Sequence, residues 1–327
     1  MNILNESLNE RKKNYSGIAN GLAESIRLDR YIAESLQLLN RSQIKSRQLE
    51  AKLNGKPAKI SRLVKNGDFL ELSWLPLSPL YLKPENIVLD TIYEDSRCAV
   101  INKPQGMVVH PGAGNHCGTL ANALCWRRFY KLDQHSETVS LNNSILNRNG
   151  IVHRLDKDTS GVIITAYDDE TLAFLSAQFK ARTARKRYLA LVKGIPSAPK
   201  GRIQTTLIRD PRNRKRFTAV PGEPNGKGKT AITCYRIVKS WTDFSLVLLK
   251  PKTGRTHQLR VHLQYLGNPI IGDPVYNPLY KTDATLMLHA LSLGIVLPGE
   301  TEQRLFKAPI PDRFRTCIAE VKNRQRK

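Results

Sequence analysis

The chain has 327 residues, with 52 Lys and Arg against 28 Asp and Glu and a formal net charge of +24. A surplus of that size reads either as a solvated basic surface or as a field suited to a polyanion, of which nucleic acid is the commonest. The hydrophobic fraction of 40% excludes disorder of the whole chain, and the length fits one large domain with a small companion. The five cysteines, Cys98, Cys117, Cys125, Cys234 and Cys317, are scattered and form no C-x-x-C pair. They support neither a disulfide framework nor a zinc site, so a reducing compartment is the simpler reading. Met1 to Asn20 lacks the apolar core of a secretory signal, and no later run is long enough to span a bilayer. The expected location is cytoplasmic, with no membrane partner.

Residues 1–25 read as a loose tail. From Ile26, the residues Leu28, Tyr31, Ile32, Leu36 and Leu39 fall near helical spacing and predict an amphipathic helix. Basic residues then run from Arg41 and Lys45 through Lys65 against the single acid Glu50. Asn54-Gly55 predicts a hairpin-type turn, and Asp68 to Leu72 a strand. The small unit ends at residue 74, and the proline-punctuated stretch of residues 75–84 is a linker.

The larger domain is expected over residues 85–320, with a basic tail at 321–327. Ile92 to Asp95 and Cys98 to Ile101 predict strands, and Lys103 to His116 is a glycine-rich loop. Asp169 is expected to cap a helix whose Leu172, Leu175 and Phe179 share a face. Tyr130 to Asn149 reads as an irregular insertion. Arg187 to Val192, Thr230 to Val238, Phe244 to Lys250 and Leu259 to Leu263 read as further strands. Strands outnumber helices without alternating with them, which predicts an α+β domain on a mixed, mainly antiparallel sheet.

The segment His153 to Gly161 draws the chemistry. Gly150 to Val152 before it and Val162 to Ala166 after it are β-prone, so a charged loop hangs between buried strands, a usual place for a site. Alternation in an extended segment puts Arg154 and Asp156 on one side and Leu155 on the other, anchored in the core. Asp158, beside Thr159-Ser160-Gly161, suits a turn. His153 reads as a structural histidine. His257 and His262, five apart in an expected strand, point to opposite faces and do not make a metal site. Gly112 to Gly118 misses the dinucleotide-binding spacing by one residue.

Two resemblances sharpen this reading. Arg27-Leu28-Asp29-Arg30-Tyr31-Ile32, Leu39 to Ile44, Asn54-Gly55-Lys56-Pro57 and Lys65-Asn66-Gly67-Asp68 resemble the small S-four-type RNA-binding domain. That likeness implies RNA contacts from Arg41 and Lys45. Asn102 to Gly112, His153 to Gly161, Arg187 to Gly194 and Thr253 to His262 together resemble the RluA-type pseudouridine synthases, closest to the branch that acts on large-subunit ribosomal RNA. Gly272-Asp273-Pro274-Val275-Tyr276 and Leu288-His289-Ala290 extend the likeness.

The second resemblance implies an α+β catalytic domain with a central cleft that isomerises uridine to pseudouridine in RNA without a cofactor, and the lack of a heptad or exposed apolar stripe in the sequence suggests nothing beyond a monomer. Asp156 matches the family's catalytic aspartate, acting either through a covalent adduct or by removing a sugar proton. Arg255 matches the arginine that pairs with it, and Tyr188 the tyrosine that stacks on the target base. Arg154 matches the arginine that fills the space left by the flipped nucleotide. Lys186, in the basic run before Tyr188, and Arg209, in the cluster of Arg209 to Arg216, fit contacts to the RNA backbone. A transfer-RNA target and a non-catalytic RNA-binding ribosome-assembly factor are the alternatives. The joint presence of Asp156, Tyr188 and Arg255 argues against the second.

Overall fold

The computed structural model describes residues 12–39, 43–44, 47–75, 82–112, 114–133, 150–213, 216–222, 228–278 and 284–324. The chain divides into two compact units, Met1–Tyr81 and Leu82–Lys327.

The first unit begins earlier than composition suggests, because part of the expected tail is a strand. β1 (Lys13–Ile18) pairs antiparallel along its full length with β6 (Phe69–Trp74). A short pairing of β2 (Ile26–Arg27) with β5 (Leu63–Val64) lies apart from this sheet. The expected amphipathic helix is a brief α1 (Leu28–Arg30) that widens over Tyr31–Ser35. Leu28, Tyr31, Ile32 and Leu39 are nonetheless buried in the unit's core, as the periodicity predicts.

β3 (Glu50–Leu53) and β4 (Lys56–Pro57) form the hairpin closed by Asn54-Gly55, whose φ angles of 52° and 76° are those of a tight hairpin turn. Buried Asp68 braces that turn. Its carboxylate accepts from Asn54 Nδ2 at 2.9 Å and from the Lys65 amide at 3.0 Å. The Lys65 amide first, and Asn54 next, hold the Asp68 carboxyl below its ordinary value against the opposing effect of burial. A depressed carboxyl contributes stability that is complete above the unfolded value of roughly 4 and is lost as pH falls through the folded one. Hydrogen-exchange protection of the Lys65 and Phe69 amides in the full chain is therefore expected to drop at pH 2–3, and Asp68→Asn to remove most of that pH dependence.

The second unit runs β7 (Thr91–Glu94), β8 (Cys98–Lys103), α2 (Leu120–Asp133), β9 (Ser160–Ala166), α3 (Asp169–Ala181), β10 (Arg185–Lys193), β11 (Lys200–Arg209), β12 (Phe217–Val220), β13 (Lys229–Ser240) and β14 (Phe244–Pro251). It continues through α4 (Gln258–Tyr265), β15 (Leu288–Val296), β16 (Gln303–Lys307) and α5 (Asp312–Arg324). The main sheet has the order β12-β11-β13-β14-β10-β15-β9-β8-β7, with β16 also on β15. Its pairs are antiparallel apart from β9 with β15, which is the mixed, mainly antiparallel α+β arrangement expected.

Several local expectations change. Leu259 to Leu263 is helical, because α4 is buried on every side from Gln258 to Leu263 and so shows no amphipathic stripe in sequence. Asp168, one residue before Asp169, caps α3 by accepting from the Thr171 amide at 2.7 Å. The expected insertion starts later, since α2 runs through Asp133, and the expected basic tail starts later, since α5 runs through Arg324.

Candidate active site

The loop from His153 to Thr159 leaves the sheet just before β9, and its backbone is tied down from outside. Leu155 is buried among Ile101, Leu120 and Ile163, while Arg154 is exposed and Asp156 half-buried. The alternation read from sequence is thus present. Lys157 and Asp158 form the turn, closed by the Thr159 amide on the Asp156 carbonyl at 3.1 Å. Gly161 has φ of 112° beside β15, and a Cβ there would strike the Ala290 carbonyl, so only glycine fits. His153 is structural: its Nε2 accepts from the Ile164 amide at 3.1 Å and its ring stacks on Phe179. Burial, with Lys186 nearby, pulls its pKa down to about 3, so it is neutral.

The glycine-rich loop proves to be a brace for this turn. Fully buried Lys103 donates to the carbonyls of Pro104, Met107 and Lys157 at 2.8, 2.8 and 3.0 Å. Gln105 Nε2 donates to the Asp158 and Leu286 carbonyls, and the Gly106 amide to Lys157 O, each at 3.0 Å. Burial lowers the Lys103 pKa to about 8, opposed by Asp158 and then Asp156. Lys103→Met would leave three carbonyls without this donor. It is expected to cost about 2–4 kcal/mol in urea unfolding and to reduce turnover by loosening the loop.

Asp156 lines two adjoining clefts of about 540 Å³ and 930 Å³. Two basic side chains approach its carboxylate, one from α4 and one from the residue that precedes it. Arg260 Nη1 lies 3.6 Å from Asp156 Oδ2, and His257 Nε2 lies 4.0 Å from the same oxygen. The expected partner, Arg255, is elsewhere: its Nε donates to the Thr230 carbonyl at 3.2 Å, and it forms no ion pair with Asp156. The pairing arginine is therefore Arg260. Reading the segment as a strand hides this. With strand period His257 and Arg260 would face opposite ways, whereas three residues apart at the start of a helix they share a face.

Arg260 is itself clamped. Its Nε and Nη2 donate to both oxygens of buried Asp273 at 2.7 and 2.8 Å, a bidentate pair. Burial opposes its charge, but Asp273 and then Asp156 outweigh that and raise its pKa. Asp273 also accepts from the Val275 and Tyr276 amides at 2.9 Å, and the Arg260 guanidinium lies over the Tyr276 ring.

Tyr276 Oη accepts from the Phe217 amide at 2.9 Å and lies 3.0 Å from His257 Nδ1. That contact holds the His257 ring so that its Nε2 edge faces Asp156. Burial lowers the His257 pKa, with Asp156 opposing. His257 has φ of 56°, in the left-handed region, where it opens α4. Buried Gln258 locks the preceding turn, accepting from Thr253 Oγ1 and the Arg255 amide and donating to Ile232 O and Thr233 Oγ1. His262 faces away, between Thr205 and Thr233.

Tyr188 reaches the 540 Å³ cleft from β10, where the register against β15 shifts between Arg187 and Tyr188. Such an irregularity re-aims a side chain. Burial, then Asp156, raise its pKa well above the ordinary tyrosine value, so its hydroxyl keeps its proton. Lys186 lines the same cleft. Arg209 is exposed on the β11–β12 hairpin, stacked over Phe217, 5.5 Å from the ring centroid and outside both clefts that Asp156 lines. Arg41 and Lys45 lie outside the described residues, as do Arg214 and Lys215. Among the described residues no group of three or more His, Cys, Asp or Glu is placed to hold a metal, and no helix is long and apolar enough to cross a membrane.

A mainly antiparallel sheet presenting an aspartate loop, a buried arginine and a cleft-lining tyrosine defines an enzyme site. Comparison with known proteins specifies the class. Residues 97–265 match the RNA pseudouridylate synthase family. The chain is 42% identical over 299 residues to the ribosomal large subunit pseudouridine synthase D of Borreliella burgdorferi, covering 89% of this chain and 88% of that one. It is 36% identical to the protein of the same name from Zymomonas mobilis, over 87% and 90% of the two chains. Among solved structures it is similar to human RNA pseudouridylate synthase domain containing 4, with a TM-score of 0.56 and 25% identity over 71% of this chain and 93% of that one. The chain belongs to the RNA pseudouridylate synthase family.

Proposed function

We propose that this enzyme converts uridine to pseudouridine in large-subunit ribosomal RNA, with Asp156 as its essential group. The observation that carries the reading is the convergence on one cleft of Asp156, Arg260 and Tyr188 from a loop, a helix and a strand. The N1–C1′ bond breaks, the base turns, C5 bonds to C1′, and the proton on C5 is replaced by one on N1, so no atom is gained or lost. Asp156, fixed by Arg260, faces the sugar carbon on which positive charge develops when the glycosidic bond opens. Tyr188 offers a ring for the turned-out base and a protonated hydroxyl. Exposed Arg154, two residues from Asp156, occupies the gap in the RNA.

The ribosomal target is supported by the names of the relatives from Borreliella and Zymomonas. An S-four-type RNA-binding role for the first unit is supported by its Asn54-Gly55 hairpin and by its basic segment. Mapping pseudouridine in total RNA from cells with and without the gene tests the function. Loss of specific sites in large-subunit ribosomal RNA is expected. Loss confined to transfer RNA would replace the substrate, and no loss in any RNA would overturn the enzymatic reading.

A further inference from the structure

Lys186 stands two residues before Tyr188 on β10, and both side chains line the cleft that holds Asp156. Two residues of strand span roughly 6.6 Å, a reach comparable to that from a nucleoside's sugar to a neighbouring backbone phosphate. The Lys186 ammonium lies 5.8 Å from the centroid of the Phe179 ring, whose packing on His153 fixes it in place. It has no hydrogen bond or ion pair to a described residue, and the charged group that bears on it is the guanidinium of Arg182. Burial, and then Arg182, hold its pKa below the usual lysine range. A partly buried cation with no carboxylate beside it is suited to bind an anion.

Gly254 supplies the space. A Cβ built there would have the Lys186 Nζ, at 3.9 Å, as its only neighbour within 4 Å. A larger side chain at residue 254 would start in contact with the ammonium. Arg182, Lys252 and Arg255 line the same cleft, while Asp156 is the only carboxylate among the described residues that line it.

We propose that Lys186 is the centre of a phosphodiester-binding subsite that holds a backbone phosphate flanking the target uridine, with Arg182 and Arg255 at its rim and Gly254 leaving it open. The subsite rests on the pseudouridine synthase reading and adds to it a fixed point one step along the RNA strand. It sets the register of the flipped nucleotide over Asp156 without reading a base. The pairing also restores to Lys186 the stabilisation that burial removed, which an exposed lysine would not gain.

The test uses the full chain and a short RNA hairpin carrying a uridine that the wild-type protein modifies, prepared with a single neutral methylphosphonate at each flanking phosphate in turn. One of these substitutions is expected to raise KM about tenfold for wild type, and Lys186→Gln to raise it by a similar factor on the native hairpin. Combined, the two should cost no more than about twofold beyond either alone. The logarithmic salt dependence of hairpin binding should become shallower by roughly 0.7 for Lys186→Gln, as for the loss of one phosphate contact to a single strand. Gly254→Val, which leaves every charge in place, should raise KM for the native hairpin and abolish the response to the same methylphosphonate.

If the penalties of Lys186→Gln and the methylphosphonate multiply, or if the salt slope of that variant equals that of wild type, the subsite is wrong. Should Lys186→Gln melt before assay, Gly254→Val decides: an undiminished response to the methylphosphonate in that variant overturns the subsite. Absence of pseudouridine with wild type on any RNA would instead remove the functional reading itself, so the two failures are distinguishable.

Discussion

Asp156→Asn is expected to abolish pseudouridine formation, by at least about a thousandfold in single-turnover assays, while leaving RNA binding within roughly twofold of wild type. The substitution is nearly isosteric and removes the negative charge of the carboxylate. Asp156 is half-buried, with 21% of its side chain exposed, and no amide of the loop depends on its carboxylate, since the turn is closed through its backbone carbonyl. Melting temperature should therefore change little. Measured on the cellular RNA that carries the modification, a variant that retains full conversion would remove Asp156 from the chemistry. Equal loss of conversion and of folding would show that the aspartate is structural.

Arg260→Leu is expected to fail in two ways at once. It strips Asp273 of its bidentate partner and leaves a buried carboxylate, which costs about 3–5 kcal/mol, or a fall in melting temperature of roughly 6–20 °C for a unit of this size. It also removes the cation 3.6 Å from Asp156, so whatever folds should turn over at least about a hundredfold more slowly. Arg260→Lys keeps the charge but cannot present the planar fork, and should recover stability only in part. Arg255→Leu gives the contrast. It loses one hydrogen bond to the Thr230 carbonyl, so its stability cost should be about 1 kcal/mol. Thermal melts and single-turnover rates of the three variants decide between the arginines. If Arg255→Leu lowers the turnover rate more than Arg260→Leu does, Arg255 and not Arg260 is the residue that supports Asp156.

These two residues mark how far a linear reading goes. Asp156 is legible because its geometry is local: Leu155 must go inward, so its neighbours on both sides go outward, and the β-prone runs around the loop declare the scaffold. The Asn54-Gly55 hairpin is legible for the same reason, as are β8, β9 and β10, each a continuous apolar or β-branched run. Lys13–Ile18 escapes a linear reading because its polar residues give a strand no contrast, and it is ordered by pairing with β6 rather than by its own pattern. α4 reads as a strand because burial on all sides erases the period that separates helix from strand. The strand reading also set His257 and His262 on opposite faces, while the choice of Arg255 came from the motif resemblance, which does not say which arginine of Thr253 to His262 reaches Asp156. Lys103 gives no signal, since a lysine with no exposed surface and three carbonyl partners cannot be told from a surface lysine in one dimension.

Composition and local pattern by themselves determined the basic surplus, the α+β class, the aspartate loop and its side-to-side alternation, because each depends on summed charge or on neighbours along the chain. Only the tertiary structure decided which arginine holds the aspartate, that His257 also faces it, what braces the loop and where Lys186 faces the cleft. Those depend on contacts between β8, β10, α4 and the turn at Asp273, which are far apart in sequence. Their energies come from burial and directional hydrogen bonds that exist only once the sheet has brought these elements together.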